Sequence, residues 1–493
     1  MQPGPRAKTM QRLSSIDQVP DAARPGYTPS ACKVGIVHLG PGAFHKAHQA
    51  ALTDAVLAIR GGDWRILGIS LRSQQAVQEL SPQNGLYTLI AKGAGGTRAR
   101  VIGAISGAIC SADDPGPALA AMAAPATRIV SLTVTEKAYG LDRYTRGCDP
   151  THPAIAADLA NPGHPQGVLG LLTAALARRR DAGLPPFTVL CCDNLPENGA
   201  LLRGAVVDFS ARLDQALATW IRTNVAFPST MVDRITPAPT DSTRAQAASL
   251  ISAHDLAATE TEDFCQWVIE DNFTMGRPDW NLAGAVFVDD VAPYEKMKLR
   301  MLNGSHSMLA YVGFHTGCTY VRDAMADPAI ANLVQRHLTT AAATLGRVDG
   351  IDYPEYAAAL LSRFENPAIA HETFQIAMDG SEKMEQRIFS AVPEARKVGV
   401  DIRPFAFTTA AWLRHVSGAT HDCAPYELRD PRAAQLTELF HDRQGSEIIA
   451  SLHDTELIPA NLRDDLEFWL TVQTILVEML TMPMRAVVAK EVA

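Results

Sequence analysis

The sequence predicts an α/β fold class: an N-terminal doubly wound sheet followed by an all-helical C-terminal domain. Three observations carry this. Between about residues 34 and 292, short apolar runs alternate with helical stretches, and such alternation specifies a mostly parallel sheet covered on both faces. The first apolar run passes through a glycine-bearing turn directly into a helix, which is the opening of a βαβ unit. From residue 293 onward strand-like runs all but vanish while helical patterns continue. The expected organisation is a lead-in segment at 1–32, an α/β domain at 33–292 and a helical domain at 293–493. The cleft between two such domains is a common home for ligands.

Size and composition fit this plan. The chain has 493 residues, 47% hydrophobic and 20% charged. That is ordinary globular composition for two or three domains, with core enough to need neither disulfides nor metals. Acidic residues outnumber basic ones, 53 to 44. No basic block stands out, which argues against a nucleic-acid partner. The eight cysteines form no C-x-x-C pair, a scatter expected of reduced thiols in a cytoplasmic protein. The polar first thirty residues hold no apolar core of a secretory signal. No apolar run is long enough for a transmembrane helix, so no membrane association is expected.

The elements follow in order. Val34 to Leu39 reads as a strand, Gly40-Pro41-Gly42-Ala43-Phe44 as its turn, and His45 to Ile59 as a helix. Gly61-Gly62-Asp63 turns the chain into a second strand, Ile66 to Leu71. Val101–Ile109, Arg128–Thr135, Phe187–Cys192 and Met231–Ile235 are further strand-like runs. The helix before Phe187 carries Arg178, Arg179 and Arg180 in its last turn and Gly183 beyond it, a sound C-terminal stop. Asn198 opens a long helix reaching about Asn224. The C-terminal domain shows helical segments near 295–312, 328–345, 353–364, 404–416, 431–451 and 461–482.

Gly40 and Gly42 sit where a dinucleotide-binding turn would stand, with Ala43 and Phe44 opening the helix. Glycines allow a tight turn and close approach to a pyrophosphate, and a helix start supplies N–H donors. His45 occupies the place of the third glycine in G-x-G-x-x-G, so the same letters also suit a plain turn without a ligand. The second strand ends Ser70-Leu71-Arg72-Ser73. No acid is present there to bond the ribose of NAD, and Arg72 could accept the 2′-phosphate of NADP, stack on adenine, or simply be a solvated surface cation. NAD is the expected cofactor, with NADP open.

The segment Tyr294 to His306 is the richest in polar chemistry. At about 100° per residue from Lys298, Glu295 falls at roughly 60°, His306 at roughly 80° and Asn303 at roughly 140°. A lysine, an amide, an imidazole and a carboxylate on one face suit alcohol oxidation without a metal. A lysine serves as base only where burial and neighbours lower its pKa. Amide N–H groups stabilise an alkoxide-like oxygen. A polar surface face is the plainer reading for Lys298 or Glu295 singly, and a structural histidine for His306. Asn303-Gly304 in mid-helix is harder to explain that way, because both are poor helix formers. Asn194 follows a strand and is placed to offer an amide, or to be an ordinary turn residue. Asp233, at another strand end, could orient a catalytic side chain or pair with a cation such as Arg234.

Six segments resemble the polyol-specific long-chain dehydrogenases, the mannitol dehydrogenase family that includes the fructuronate reductases (D-mannonate oxidoreductases). They are Gly40–Gln49, Thr133–Lys137, Cys192–Pro196, Met231–Ile235, Gln266–Phe273 and Lys298–His306, in family order. The resemblance implies a metal-independent NAD(P) enzyme with a Rossmann-like domain and a helical domain. It implies Lys298 as general base, Asn194 and Asn303 as oxyanion donors, His306 as substrate-orienting partner and Glu295 as proton relay. The chain departs at Ser70 to Ser73, where mannitol dehydrogenases tend to have an acid. Thr135-Glu136-Lys137, Pro196-Glu197-Asn198-Gly199, Glu270-Asp271-Asn272-Phe273, Met297–Ser307 and Asp379–Lys383 look more like the fructuronate reductases. A uronate carries a carboxylate, and Lys383 or Arg387 could pair with it; both also suit solvated helix faces.

The expected function is therefore interconversion of a sugar-acid or polyol secondary alcohol and its ketose, first D-fructuronate with D-mannonate, alternatively D-mannitol with D-fructose. Two other classes stand beside it. His45 and His48, one helical turn apart, with Asp193 or His306, would suit a metal-dependent hydrolase. A non-catalytic nucleotide-binding protein would keep the glycine turn and lack turnover. The oligomeric state stays open.

Overall fold

A computed structural model describes residues 10–93, 95–142, 145–348 and 350–493, so residues 1–9 of the lead-in segment lie outside the described residues. The chain divides into two compact units, Met1–Ala292 and Pro293–Ala493.

The strands of the first unit, in chain order, are β1 (Val34–Leu39), β2 (Arg65–Ser70), β3 (Tyr87–Gly93), β4 (Gly96–Ile102), β5 (Ile105–Cys110), β6 (Ile129–Leu132), β7 (Thr188–Cys191), β8 (Thr230–Asp233), β9 (Thr259–Glu262), β10 (Gln266–Glu270) and β11 (Val286–Val288). Five of them form a wholly parallel, Rossmann-like sheet in the order β5-β2-β1-β6-β7. Both faces are apolar, as a covered parallel sheet requires. Val37, Leu39, Val130 and Leu132 pack with the helices Val168–Asp181 and Asn198–Leu213. Ile36, Ile66, Ile129 and Leu190 pack on the other side with the helix Gln49–Arg60. Strand order reverses between β1 and β6, and ligand crevices in open α/β sheets form beyond the carboxyl ends at such a point.

Several elements differ from the sequence reading. Val101–Ile109 is two strands, broken at Gly103, whose N–H donates to Asp54 at 2.7 Å. β4 belongs to a small mixed sheet, β4-β3-β9, and only β5 joins the main sheet. The Met231–Ile235 run yields β8, antiparallel to β10 in a third sheet. The helix after the glycine turn breaks at His48, giving Ala43–Ala47 and Gln49–Arg60. The helix from Asn198 stops at Leu213 because Asp214 caps a new one, accepting from the Ala216 and Leu217 amides at 2.8 and 3.1 Å. Residues 10–32 are docked, not loose. Leu13 and Val19 are buried against Leu86 and Val101, and Arg12 donates to the carbonyls of Gln78 and Glu79 at 2.6 and 2.9 Å.

The second unit is helical, with no named strand among its described residues. The helix Arg403–Val416 is buried from Pro404 to Val416, with the Thr408 and Thr409 hydroxyls donating to the carbonyls of Pro404 and Phe405 at 2.9 Å. Gly304–His315 packs against it in the same cluster. Pro328–Ala343 and Tyr353–Phe364 begin at aspartate caps, Asp327 and Asp352. The expected helix 431–451 is split at Gly445 (φ +48°). The one at 461–482 is split before Leu466, where Asp465 caps. The eight cysteines form no disulfide. Among the described residues no helix is long and apolar enough to cross a membrane.

Candidate functional site

The glycine turn leaves β1 at the strand-order reversal. Gly40 has φ +87°, and a Cβ there would lie 2.2 Å from the Thr133 carbonyl oxygen. Only glycine fits such a conformation and approach. A Cβ at Gly42 would meet nothing nearer than the Gly40 oxygen at 3.8 Å, so the space over it is open. Gly40, Gly42, Ala43, Arg72, Thr133 and Thr135 are among the residues lining a cavity of about 550 Å³. Lys46, Lys137 and Glu79 also reach its wall. Arg72 is exposed there and makes no hydrogen bond or ion pair with the described residues. Lys46 is buried and gives its ammonium to the Ala257 carbonyl at 2.8 Å; the tight glycine turn, the open backbone and the exposed Arg72 at the carboxyl ends of β1 and β2 fit a dinucleotide.

Phe44 is not among the residues lining this cavity, and its ring stacks on His48 at 5.0 Å between centroids. The His48 Nε2 lies 3.1 Å from the Gln266 carbonyl. His45, in place of the third glycine, stacks on His38 of β1 at 3.4 Å. Burial holds both imidazoles neutral, His38 at about 3 and His45 well below its ordinary value. His38 in turn bridges β1 to the β6 end, with Nδ1 2.8 Å from Ser131 Oγ and Nε2 2.8 Å from Thr133 Oγ1. His45 and His48, considered above as metal ligands, are thus packing groups behind the turn.

Asn194 is exposed in the turn after β7. Asp193 beside it is engaged instead in holding the neighbouring loop. Its Oδ2 accepts from the Val134 amide at 2.9 Å and the Tyr139 hydroxyl at 2.5 Å, and its Oδ1 from the Thr135 amide at 3.3 Å. Burial raises the Asp193 pKa, with these bonds opposing the shift. Thr135 and Glu197 have left-handed φ values of +78° and +48°, conformations costly for residues with a Cβ. Asn198 stitches the turn to β8, donating to the carbonyls of Asp193 and Thr230 at 3.0 and 2.8 Å. Asp233 is buried at the end of β8. Arg234 gives its guanidinium to the carbonyls of Glu262 and Ala47.

In the second unit, Glu295 lies half-buried on the helix Ala292–Met297. Lys298–Asn303 is then a π-helical turn, in which the Gly304 N–H reaches the Leu299 carbonyl five residues back. The α-helical angles used for the sequence therefore do not hold across this stretch. π turns are rare and recur at functional sites. Lys298, Asn303 and His306 are buried, at 7, 7 and 8% exposure. The Asn303 Nδ2 and the His306 Nε2 are buried without a hydrogen-bond partner, an arrangement that needs an explanation such as a bound ligand. The His306 ring packs on Phe364 at 4.6 Å and edge-on to His371 at 5.3 Å. Burial first, then His371, Arg363, Arg387 and Lys298, hold it neutral.

Arg387 reaches this turn, donating from Nη1 to the Asn303 carbonyl at 3.3 Å and the Ser307 hydroxyl at 3.0 Å. Burial lowers its pKa to about 10, and it forms no ion pair with a described carboxylate. Lys383 instead donates to the carbonyls of Ile376 and Met378. Burial, then Arg387, brings it to about 8.

Three supports escaped the sequence reading. Arg300 anchors the π turn through Glu394 at 2.8 Å, the Thr344 carbonyl and hydroxyl at 3.1 and 2.9 Å, and the Ser390 carbonyl at 3.1 Å. Gly304 lets His337 approach, for a Cβ there would lie 2.8 Å from the His337 Nε2. Asp193 had a legible signal, an acid at a strand end next to an amide.

Two family profiles match the chain: the mannitol dehydrogenase Rossmann domain over residues 34–282 and the mannitol dehydrogenase C-terminal domain over 290–480. An uncharacterised oxidoreductase of Escherichia coli (strain K12), YeiQ, is 40% identical over 445 residues, which is 90% of this chain and 91% of that protein. The D-mannonate oxidoreductase of the same organism is 41% identical over 446 residues, 89% of this chain and 91% of that one. The solved Pseudomonas fluorescens mannitol 2-dehydrogenase, a ternary complex with NAD and D-mannitol, superposes with a TM-score of 0.87 at 36% identity. It covers 98% of this chain and 99% of its own.

Proposed function

The chain belongs to the mannitol dehydrogenase family, and from that premise we propose that it is an NAD(P)-dependent oxidoreductase interconverting D-mannonate and D-fructuronate. One observation supports the sugar acid above the rest: Arg387, without a carboxylate partner among the described residues, donates into the turn that carries the unpaired amide of Asn303. A cation so placed suits a substrate carboxylate.

Gly40, Gly42 and Ala43 would hold the cofactor, which would supply the hydride acceptor or donor. Lys298 is the general base that takes the hydroxyl proton in the oxidative direction. Asn303 and Asn194 donate amide hydrogens to the oxygen as its charge grows. His306, neutral, orients the substrate through Nε2. Glu295 passes the proton from Lys298 outward, and Asp233 supports the substrate side. The reading needs no metal, because the base is an amine. Arg387 holds the carboxylate, and Lys383 secures the segment that precedes it. Arg72 and the missing acid at the β2 end admit the 2′-phosphate of NADP as well as NAD.

A second reading, D-mannitol with D-fructose, is favoured by the similarity to the solved mannitol complex over nearly the whole chain. A spectrophotometric panel tests both. NADH and NADPH are each offered with fructuronate, tagaturonate and fructose. The expected result is the highest kcat/KM with fructuronate. Exclusive turnover of fructose would transfer the assignment to the polyol.

A further inference from the structure

We infer that Asp193 is a positioning residue, locking the loop Thr133–Thr135 and the turn bearing Asn194 into one rigid piece. The inference rests on the proposed role of Asn194 as an oxyanion donor. Its basis is geometric. Asp193 directly precedes Asn194 and follows the β7 end, while the atoms that bond its carboxylate all come from the segment after β6. They are the Val134 amide at 2.9 Å, the Thr135 amide at 3.3 Å and the Tyr139 hydroxyl at 2.5 Å. A single side chain thus ties together two strand ends that neighbour each other in the sheet.

The tie has something to hold. Thr135 is β-branched and has φ +78°, a conformation that persists only where the surroundings impose it. Its amide is one of the three donors. Thr133, Val134 and Thr135 all line the nucleotide cavity. The Asp193 carbonyl in turn accepts from the Asn198 side-chain amide at 3.0 Å and from the Leu195 N–H at 2.9 Å, so the turn closes around Asn194. Without the carboxylate, the strained loop is free to relax and the Asn194 amide loses its fixed bearing relative to the cavity wall.

A double-mutant cycle on kcat at saturating substrates tests this, since coupled residues give non-additive effects. Asp193→Asn is expected to lower kcat about tenfold in the wild-type background, the effect of leaving buried donors unsatisfied. In an Asn194→Ala background the same substitution is expected to cost less than about twofold. An equal loss in both backgrounds, with Asn194→Ala itself impaired, overturns the positioning role alone. A wild-type kcat for Asn194→Ala overturns the assignment of Asn194 and the inference with it. Should Asp193→Asn not give folded enzyme, Tyr139→Phe, which removes one of the three bonds, goes through the same cycle. There a loss of about threefold confined to the Asn194 background supports the role, and no such confinement overturns it.

Discussion

Arg300 donates to the carboxylate of Glu394 at 2.8 Å across 94 residues of sequence, and this bond ties the π turn to the helix Val392–Val398. Lys296 adds a second cation at 2.7 Å. The two bonds, Arg300 first among the causes that lower it, bring the Glu394 carboxyl to about 2 from an ordinary 4.5. Between those values the unfolded chain binds the proton and the folded one does not. The contribution is therefore complete above pH 4.5 and lost as pH falls toward 2. Glu394→Gln should be less stable than wild type at neutral pH, with the gap closing as the solution is acidified. Urea denaturation of both proteins across that window measures it, and a gap that stays constant with pH contradicts the ion pair.

Lys298→Ala should lower kcat by about 10²–10⁴-fold, the range of a removed general base. Cofactor binding, followed by fluorescence titration of NADH, should survive. Undiminished turnover would show that another group takes the proton.

Arg387→Met should reduce kcat/KM for fructuronate by roughly tenfold to a hundredfold, as expected for a lost charge-assisted pair. Because Arg387 also bonds the Asn303 carbonyl and Ser307, fructose turnover should fall too, but by less. Equal losses on both substrates would remove the carboxylate from the assignment.

Gly304→Ala places a methyl 2.8 Å from the His337 Nε2 and 3.3 Å from the Arg387 carbonyl oxygen. Overpacking of this kind costs about 1–3 kcal/mol, against a helix gain of about 0.5–1. A net loss of about 1–2 kcal/mol in denaturant unfolding is expected, with kcat reduced through the adjacent Asn303. Unchanged stability would mean that the buried imidazole yields without cost.

Arg72→Ala should raise the KM for NADPH about tenfold or more while leaving that for NADH within about twofold. Steady-state kinetics with each cofactor decides this, and an equal effect on both would place Arg72 at the adenine or in solvent.

The strands β1 and β6 were legible because both of their faces are covered, which makes them unbroken apolar runs. β9, the run Thr-Glu-Thr-Glu, carries no such signal. It is held by pairing with β3, 168 residues away between Lys92 and Glu260, and local pattern is blind to that. In the helical unit, Asn303-Gly304 was visible as an oddity in a helix. The π turn itself was not, since its spacing depends on a hydrogen-bond shift that composition does not encode. Lys298, Asn303 and His306 could be read as one polar group. Arg300, two residues from the lysine, could not be read as their brace, because its partner comes from a distant helix.

The Leu299–Gly304 hydrogen bond leaves the helix carrying one surplus residue. Upstream and downstream segments are consequently out of phase, as two gears would be after skipping a tooth. Excising a single residue from this stretch would restore ordinary winding and swing His306 and everything after it around the axis. The mismatch makes length, and not only identity, a constraint on evolution here: shortening by one position would be harsher than most replacements of any one side chain.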